Sequence, residues 1–129
     1  MPVARASAIA AALVFATAML VSASSPEVVT VVAADYRFEP SAISFRVNVA
    51  YRLHFENRGT ELHEFTAPTF FKSVELGNPT VLNAERTELV VQPGEQKDLD
   101  FVPRQVGRYS LTCADHDWAG MTGEIAVVE

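Results

Sequence analysis

Ile43-Ser44-Phe45-Arg46-Val47-Asn48-Val49-Ala50-Tyr51-Arg52-Leu53-His54-Phe55-Glu56 alternates apolar and polar side chains almost without a break. A period of two places the odd positions on one face of an extended chain and the even positions on the other. The odd face (Phe45, Val47, Val49, Tyr51, Leu53, Phe55) is therefore buried. The even face, carrying Arg46, Arg52, His54 and Glu56, is wet. The stretch exceeds an ordinary strand, and a turn near Asn48 to Ala50 divides it into two.

Outward from this stretch, short β-type runs recur between turn signals, with no internal repeat and no low-complexity tract. Val28 to Val32 is β-branched and opens the fold, and Asp35 to Pro40 reads as irregular, with Tyr36 and Phe38 sharing a face by their spacing. Asn57-Arg58-Gly59 opens a loop that leads to His63-Glu64-Phe65. From Pro68 to Glu85 the residues Phe70, Phe71, Val74 and Leu76 fit a short helix or an irregular flap, with Phe70 and Phe71 either core or docking rim. Leu89 to Val91 is a strand, Gln92-Pro93-Gly94-Glu95 a turn, and Leu99 with Phe101 the inward face of the next strand, between outward Asp98 and Asp100. Gly107 to Cys113 follows, and Glu124 to Val128 closes the chain with Ile125 and Val127 inward. Short strands at this spacing, with no long helix between them, predict an all-β Greek-key sandwich of about seven to eight strands.

In the Gly107–Cys113 strand, Tyr109, Leu111 and Cys113 share a face, so the thiol points inward at the strand's end. The loop after it reads Cys113-Ala114-Asp115-His116-Asp117-Trp118-Ala119-Gly120-Met121. A thiolate, an imidazole and a weak thioether on one short loop, joined by a distant second imidazole, suit one copper ion in a trigonal His₂Cys site with a long axial Met. His63 is the candidate for that second imidazole. His54, outward by parity with Arg52 and Glu56, is left out. Taken singly, Met121 also fits core filler, His63 a surface hydrogen-bonding residue, and Cys113 with His116 a partial zinc site. Zinc, however, normally takes four strong ligands, and the chain has one cysteine.

At the other end, Met1 to Arg5 and the apolar run Ala8 to Val21, ending in Val21-Ser22-Ala23, read as a secretory signal peptide cleaved after Ala23. The leader holds neither a lipobox cysteine nor a twin arginine. Residues 24–129 then form one domain, long enough for a single core. The expected location is the periplasm, where an unpaired thiol calls for a reason such as metal ligation. The formal charge of −6 grows more acidic once Arg5 is removed, which disfavours nucleic acid and anionic membrane surfaces as partners and favours a basic patch.

These residues carry a family resemblance. From about Val28 to Val128 the chain resembles the cupredoxins, small blue copper proteins that include plastocyanin, amicyanin and pseudoazurin. The most specific match is Gly107-Arg-Tyr109-Ser-Leu-Thr-Cys113-Ala-Asp-His116-Asp-Trp-Ala-Gly-Met121-Thr-Gly, against a Gly-x-Tyr-x-x-x-Cys strand, a Cys-x-x-His loop and a Gly-Met before the last strand. Tyr36-Arg-Phe38-Glu-Pro40, Asn57-Arg-Gly59 ahead of His63-Glu-Phe65, and Pro93-Gly-Glu95 match more weakly. The resemblance implies that His63, Cys113, His116 and Met121 hold one copper ion. It implies a carrier of single electrons by Cu(I)/Cu(II) cycling, monomeric and not an enzyme, meeting a soluble or membrane-attached redox protein near His116. Copper delivery or sequestration is the alternative.

Two departures from plastocyanin bear on tuning. Glu64 follows the first histidine where plastocyanin has asparagine, and Ala114 follows the cysteine where a hydroxyl residue is common, so the side-chain bridge between the ligand loops is lost. The Glu64 backbone N–H remains free to donate to the Cys113 sulfur. Asp117 replaces a frequent proline. Together these predict a low potential for the family, and they open a rival in which Glu61 or Glu64 ligates copper in place of the thioether.

Overall fold

The computed structural model describes residues 2–3, 12–20 and 23–129. Of the leader expected over residues 1–23, residues 1, 4–11 and 21–22 lie outside the described residues. Among these, no helix is long and apolar enough to cross a membrane.

Ten strands in the described residues build two five-stranded sheets packed face to face. In spatial order the first holds β2 (Arg37–Glu39), β1 (Glu27–Ala34), β4 (Tyr51–Asn57), β8 (Gln96–Pro103) and β6 (Val74–Leu76). The second holds β3 (Ala42–Arg46), β10 (Thr122–Val128), β9 (Gly107–Thr112), β5 (His63–Thr66) and β7 (Glu88–Val91). Both are mixed: β1 runs parallel to β4 and β3 parallel to β10, and the remaining pairs are antiparallel. This is the expected all-β sandwich, with the three-residue strands β2 and β6 carrying the count past eight.

The alternating stretch divides where its sequence indicates, but its halves enter different sheets. Asn48 takes the left-handed conformation at φ 64°, which asparagine adopts more readily than most residues. Its N–H donates to the Pro103 carbonyl at 2.8 Å, and the Tyr51 hydroxyl accepts the Arg46 N–H at 3.0 Å, tying both ends of the crossover. Phe45 and Leu53 thus reach one core from opposite sides, and both are essentially buried. Phe45 packs on Phe101 and Phe70 with ring centroids 5.1 and 5.7 Å apart, bridging the sheets. Burying one such ring stabilises the fold by about 1.5–3 kcal/mol.

Helix α1 (Pro68–Ser73) resolves the ambiguous segment. Proline suits the first helical position because its missing N–H has no partner there anyway. Phe70 and Phe71 are both buried, so they are core and not rim. The irregular reading of Asp35 to Pro40 is corrected over Arg37–Glu39, which pairs with β1. Tyr36 and Phe38 do not share a face: Phe38 is buried, whereas Tyr36 lies exposed at one end of the sandwich.

Candidate metal centre

Three ligand-type side chains converge at that end. His63 opens β5, Cys113 follows β9 as strand parity predicts, and His116 lies in the loop between β9 and β10. One donor atom from each lies within 4.8 Å of the other two, and all three residues are buried. The His63 and His116 Nδ1 atoms sit 3.8 and 3.5 Å from Cys113 Sγ.

The loop carrying two of these groups is held by its own backbone. The Cys113 N–H donates to the Met121 carbonyl at 3.0 Å, the His116 N–H to the Cys113 carbonyl at 3.0 Å, and the Met121 N–H to the His116 carbonyl at 3.3 Å. Gly120 supplies the left-handed turn at φ 80° that glycine adopts without a Cβ penalty. Met121 is fully buried in this same loop. The loop before His63 is fixed by the buried Asn57, whose side-chain amide donates to the Glu61 and Val91 carbonyls at 2.7 and 3.0 Å.

Glu64 joins the two loops. Its backbone N–H donates to Cys113 Sγ at 3.4 Å, as its position after His63 predicts. Its buried carboxylate accepts the Asp115 N–H at 2.9 Å and lies 3.5 Å from the sulfur. The bridge that Ala114 cannot make is thus replaced by a carboxylate reaching to the backbone. Desolvation pushes the Glu64 carboxyl above its ordinary range. Burial likewise raises the Cys113 thiol to about 11, so without a metal the sulfur keeps its proton and can donate to Glu64.

The outer nitrogen of each imidazole is also occupied. Asp35 accepts from His63 Nε2 at 2.6 Å, and a Glu61 carboxylate oxygen lies 3.0 Å from His116 Nε2. The Thr60 N–H and hydroxyl, at 2.9 and 2.7 Å, together with His63, hold the Asp35 carboxyl far below the usual carboxylate range. Tyr36 lies against His116 with ring centroids 4.9 Å apart, and the neighbouring Glu61 carboxylate, above all, raises its phenol above the ordinary value. Trp118 is 77% exposed beside this ring.

His54 stands where parity puts it, on the outer face of β4 between Asp98 and Glu56. Asp35 and Tyr36 are the site residues that sequence reasoning missed. No motif signals Asp35, since a carboxylate 28 positions before His63 shows no spacing that marks it.

Buried sulfur with two imidazole nitrogens turned towards it is the donor set of a single copper site, and the cluster fits one. The chain belongs to the cupredoxin-like domain family, whose model matches residues 6–127. Its fold is similar to auracyanin B at 20% identity, over 83% of this chain and 93% of that one, with a TM-score of 0.61. It is similar to the metal-binding domain of the Streptococcus pneumoniae Cu(I)-exporting P-type ATPase CopA at 17% identity, over 79% and 85%, with a TM-score of 0.52. It also resembles a multicopper oxidase from Campylobacter jejuni at 16% identity, over 87% of this chain and 32% of the oxidase, with a TM-score of 0.62. At these identities the likeness is one of fold. No curated protein matches the chain by sequence.

Proposed function

We propose that the chain is an exported, monomeric carrier of single electrons in which His63, Cys113 and His116 hold one copper ion and Met121 supplies the weak axial sulfur. The observation that carries this reading is the convergence of both Nδ1 atoms on a buried Cys113 sulfur, from two loops already tied together by Glu64. Bound copper would supply the one-electron Cu(I)/Cu(II) couple. The protein's part is to hold the donors in nearly the same arrangement for either oxidation state, so that little reorganisation accompanies transfer. Burial of His63, Cys113 and Met121 excludes water from them, and the backbone bonds within the Cys113–Met121 loop resist opening.

His116 is 9% exposed, against 0% for His63, which makes it the natural edge for an electron to cross. A partner docking there would meet Tyr36, Trp118 and the carboxylates of Glu61, Asp115 and Asp117. A small, transient interface with a basic patch on a redox protein fits that surface. Periplasmic location and loss of residues 1–23 belong to the same proposal.

Copper delivery or sequestration is the competing reading, and the fold likeness to the Cu(I)-exporting ATPase domain is what favours it. Enclosure of the sulfur and of both imidazoles favours retention over exchange. The test is to load the protein comprising residues 24–129 with Cu(II) and record its visible and EPR spectra before and after ascorbate. An intense red-region charge-transfer band with narrow copper hyperfine splitting, bleached by reductant, and slow copper loss to a chelator support the carrier. Rapid loss would overturn it in favour of copper handling.

A further inference from the structure

The outer face of the donor cluster has a symmetry that the ligand set does not explain. A neutral imidazole carries one N–H and one lone pair, and which nitrogen holds the proton is set by the partner of the other. Here His63 Nε2 is hydrogen-bonded to Asp35 and His116 Nε2 lies 3.0 Å from a Glu61 oxygen; carboxylates only accept, which favours the hydrogen on Nε2 of each ring. Both Nδ1 lone pairs are then left towards Cys113. The carboxylates arrive from separate segments, Asp35 from the end of β1 and Glu61 from the loop before β5.

We propose that Asp35 and Glu61 are positioning residues for the metal centre, locking the two imidazoles in the Nδ1-donor tautomer and biasing a bound copper ion towards its oxidised state. The inference rests on the copper reading above. A carboxylate accepting the distal N–H raises the basicity of the imidazole and orients its ring. The added negative charge also favours the more highly charged ion, more strongly from Asp35 than from the half-exposed Glu61, which water screens.

The two carboxylates are not equivalent. Asp35 is anchored by three donors, the Thr60 N–H, the Thr60 hydroxyl and His63 Nε2, so His63 has one orientation. Glu61 has its backbone carbonyl fixed by Asn57, but its side chain is 48% exposed. Tyr36 follows Asp35 directly and covers the His116 ring, with ring centroids 4.9 Å apart. One dipeptide therefore serves both ligands: Asp35 holds His63, and Tyr36 packs against the His116 ring.

The test uses residues 24–129 as wild type, Glu61→Gln, Asp35→Asn and the double variant. Nitrogen-15 NMR of the metal-free wild type at about pH 8, above the ordinary histidine range, should show His63 and His116 both protonated at Nε2. A predominant Nδ1–H tautomer at either histidine would overturn the proposal, with no copper needed. In the copper-loaded protein, each carboxamide should retain the red absorption band while shifting the Cu(II)-to-Cu(I) preference by about tenfold, a rise of about 59 mV. An unshifted potential in Glu61→Gln with the band intact would equally overturn it. Asp35→Asn can loosen the Thr60 loop, so Glu61→Gln, half exposed and free of that duty, carries the decision. A purely structural role would lower stability and leave the potential in place. If the wild type shows no red band, the electron-carrier reading fails, and the NMR tautomers still decide the inference.

Discussion

Glu64 and Asp115, 51 positions apart, are joined by a 2.9 Å hydrogen bond from the Asp115 N–H to the Glu64 carboxylate. That contact closes the two ligand loops on each other and sets a buried carboxylate 3.5 Å from the Cys113 sulfur. With copper bound, thiolate and carboxylate would both be negative, which favours Cu(II) over Cu(I). Glu64→Gln keeps an acceptor for Asp115 and removes the charge. Its reduction potential, measured by voltammetry, should exceed that of the wild type, and an equal or lower value would show that Glu64 does not depress it.

Gly59 lies where no side chain fits. A Cβ there would collide with the Asp35 carboxylate and stand 2.7 Å from His63 Nε2. Gly59→Ala should therefore push Asp35 off His63, destabilising the protein by about 1–3 kcal/mol in urea unfolding, the usual range for overpacking. Copper affinity should weaken with it. Unchanged affinity and stability would mean that the loop moves aside freely and that the Asp35–His63 contact is soft.

Much of this was legible in the residues. Alternation at Phe45 to Phe55 and at Tyr109 to Cys113 correctly assigns the buried face, because side-chain direction in a strand depends only on position. What alternation lacks is the identity of the sheet: a strand pair turning at Asn48 reads the same whether it forms a hairpin or crosses the sandwich. Phe70 and Phe71 were ambiguous for a related reason. Neighbours in a strand face opposite ways, whereas one turn of helix α1 wedged against both sheets buries both. The contacts Asp35–His63 and Glu61–His116 depend on loops meeting in space, and a carboxylate carries no local mark of its partner.

Phe70 is surrounded by Phe45, Phe101 and Tyr109 with centroid distances of 5.7, 5.5 and 5.6 Å. Phe70→Ala should cost about 3–5 kcal/mol, the range for deleting a buried aromatic. Phe71→Ala should likewise act on stability, read by thermal or urea unfolding. A Phe71→Ala protein of wild-type stability that transfers electrons slowly would place that ring at the docking surface instead.

His54 offers a pH dependence remote from the metal centre. Its Nδ1 lies 2.6 Å from Asp98 on β8 and its Nε2 3.0 Å from Glu56 on β4, while Thr30 pairs with it from β1. Arg58 and Arg52 engage Glu56 and Asp100 nearby. The hydrogen bond to Asp98 above all raises the His54 imidazole; burial opposes it, and Glu56 adds a smaller rise. A raised folded-state value means that the imidazolium stabilises the fold fully below about pH 6.5, the ordinary histidine value, and that this contribution fades as pH climbs through the folded value. His54→Gln should lose stability relative to wild type at low pH and converge on it in alkaline solution. A constant difference across that window would remove His54 as the source.

Trp118 gives the docking proposal its sharpest test. The ring is 77% exposed, donates its indole N–H to the Asp115 carbonyl at 2.9 Å, and stands 6.1 Å from Tyr36 and 6.4 Å from His116 by ring centroids. A large exposed aromatic held by a hydrogen bond keeps little freedom to lose on association, which is why such residues serve as interface anchors. Trp118→Ala should leave the red absorption band and the potential unchanged, because the indole touches no donor atom. Stopped-flow transfer to a basic redox protein, such as a cytochrome with a lysine-rich haem edge, should slow by about tenfold, equivalent to about 1.4 kcal/mol. Raising the salt should slow the wild type further if the acidic rim of Glu61, Asp115 and Asp117 steers the encounter. Unchanged transfer in Trp118→Ala would move the docking surface away from His116, and with it the route assigned to the electron.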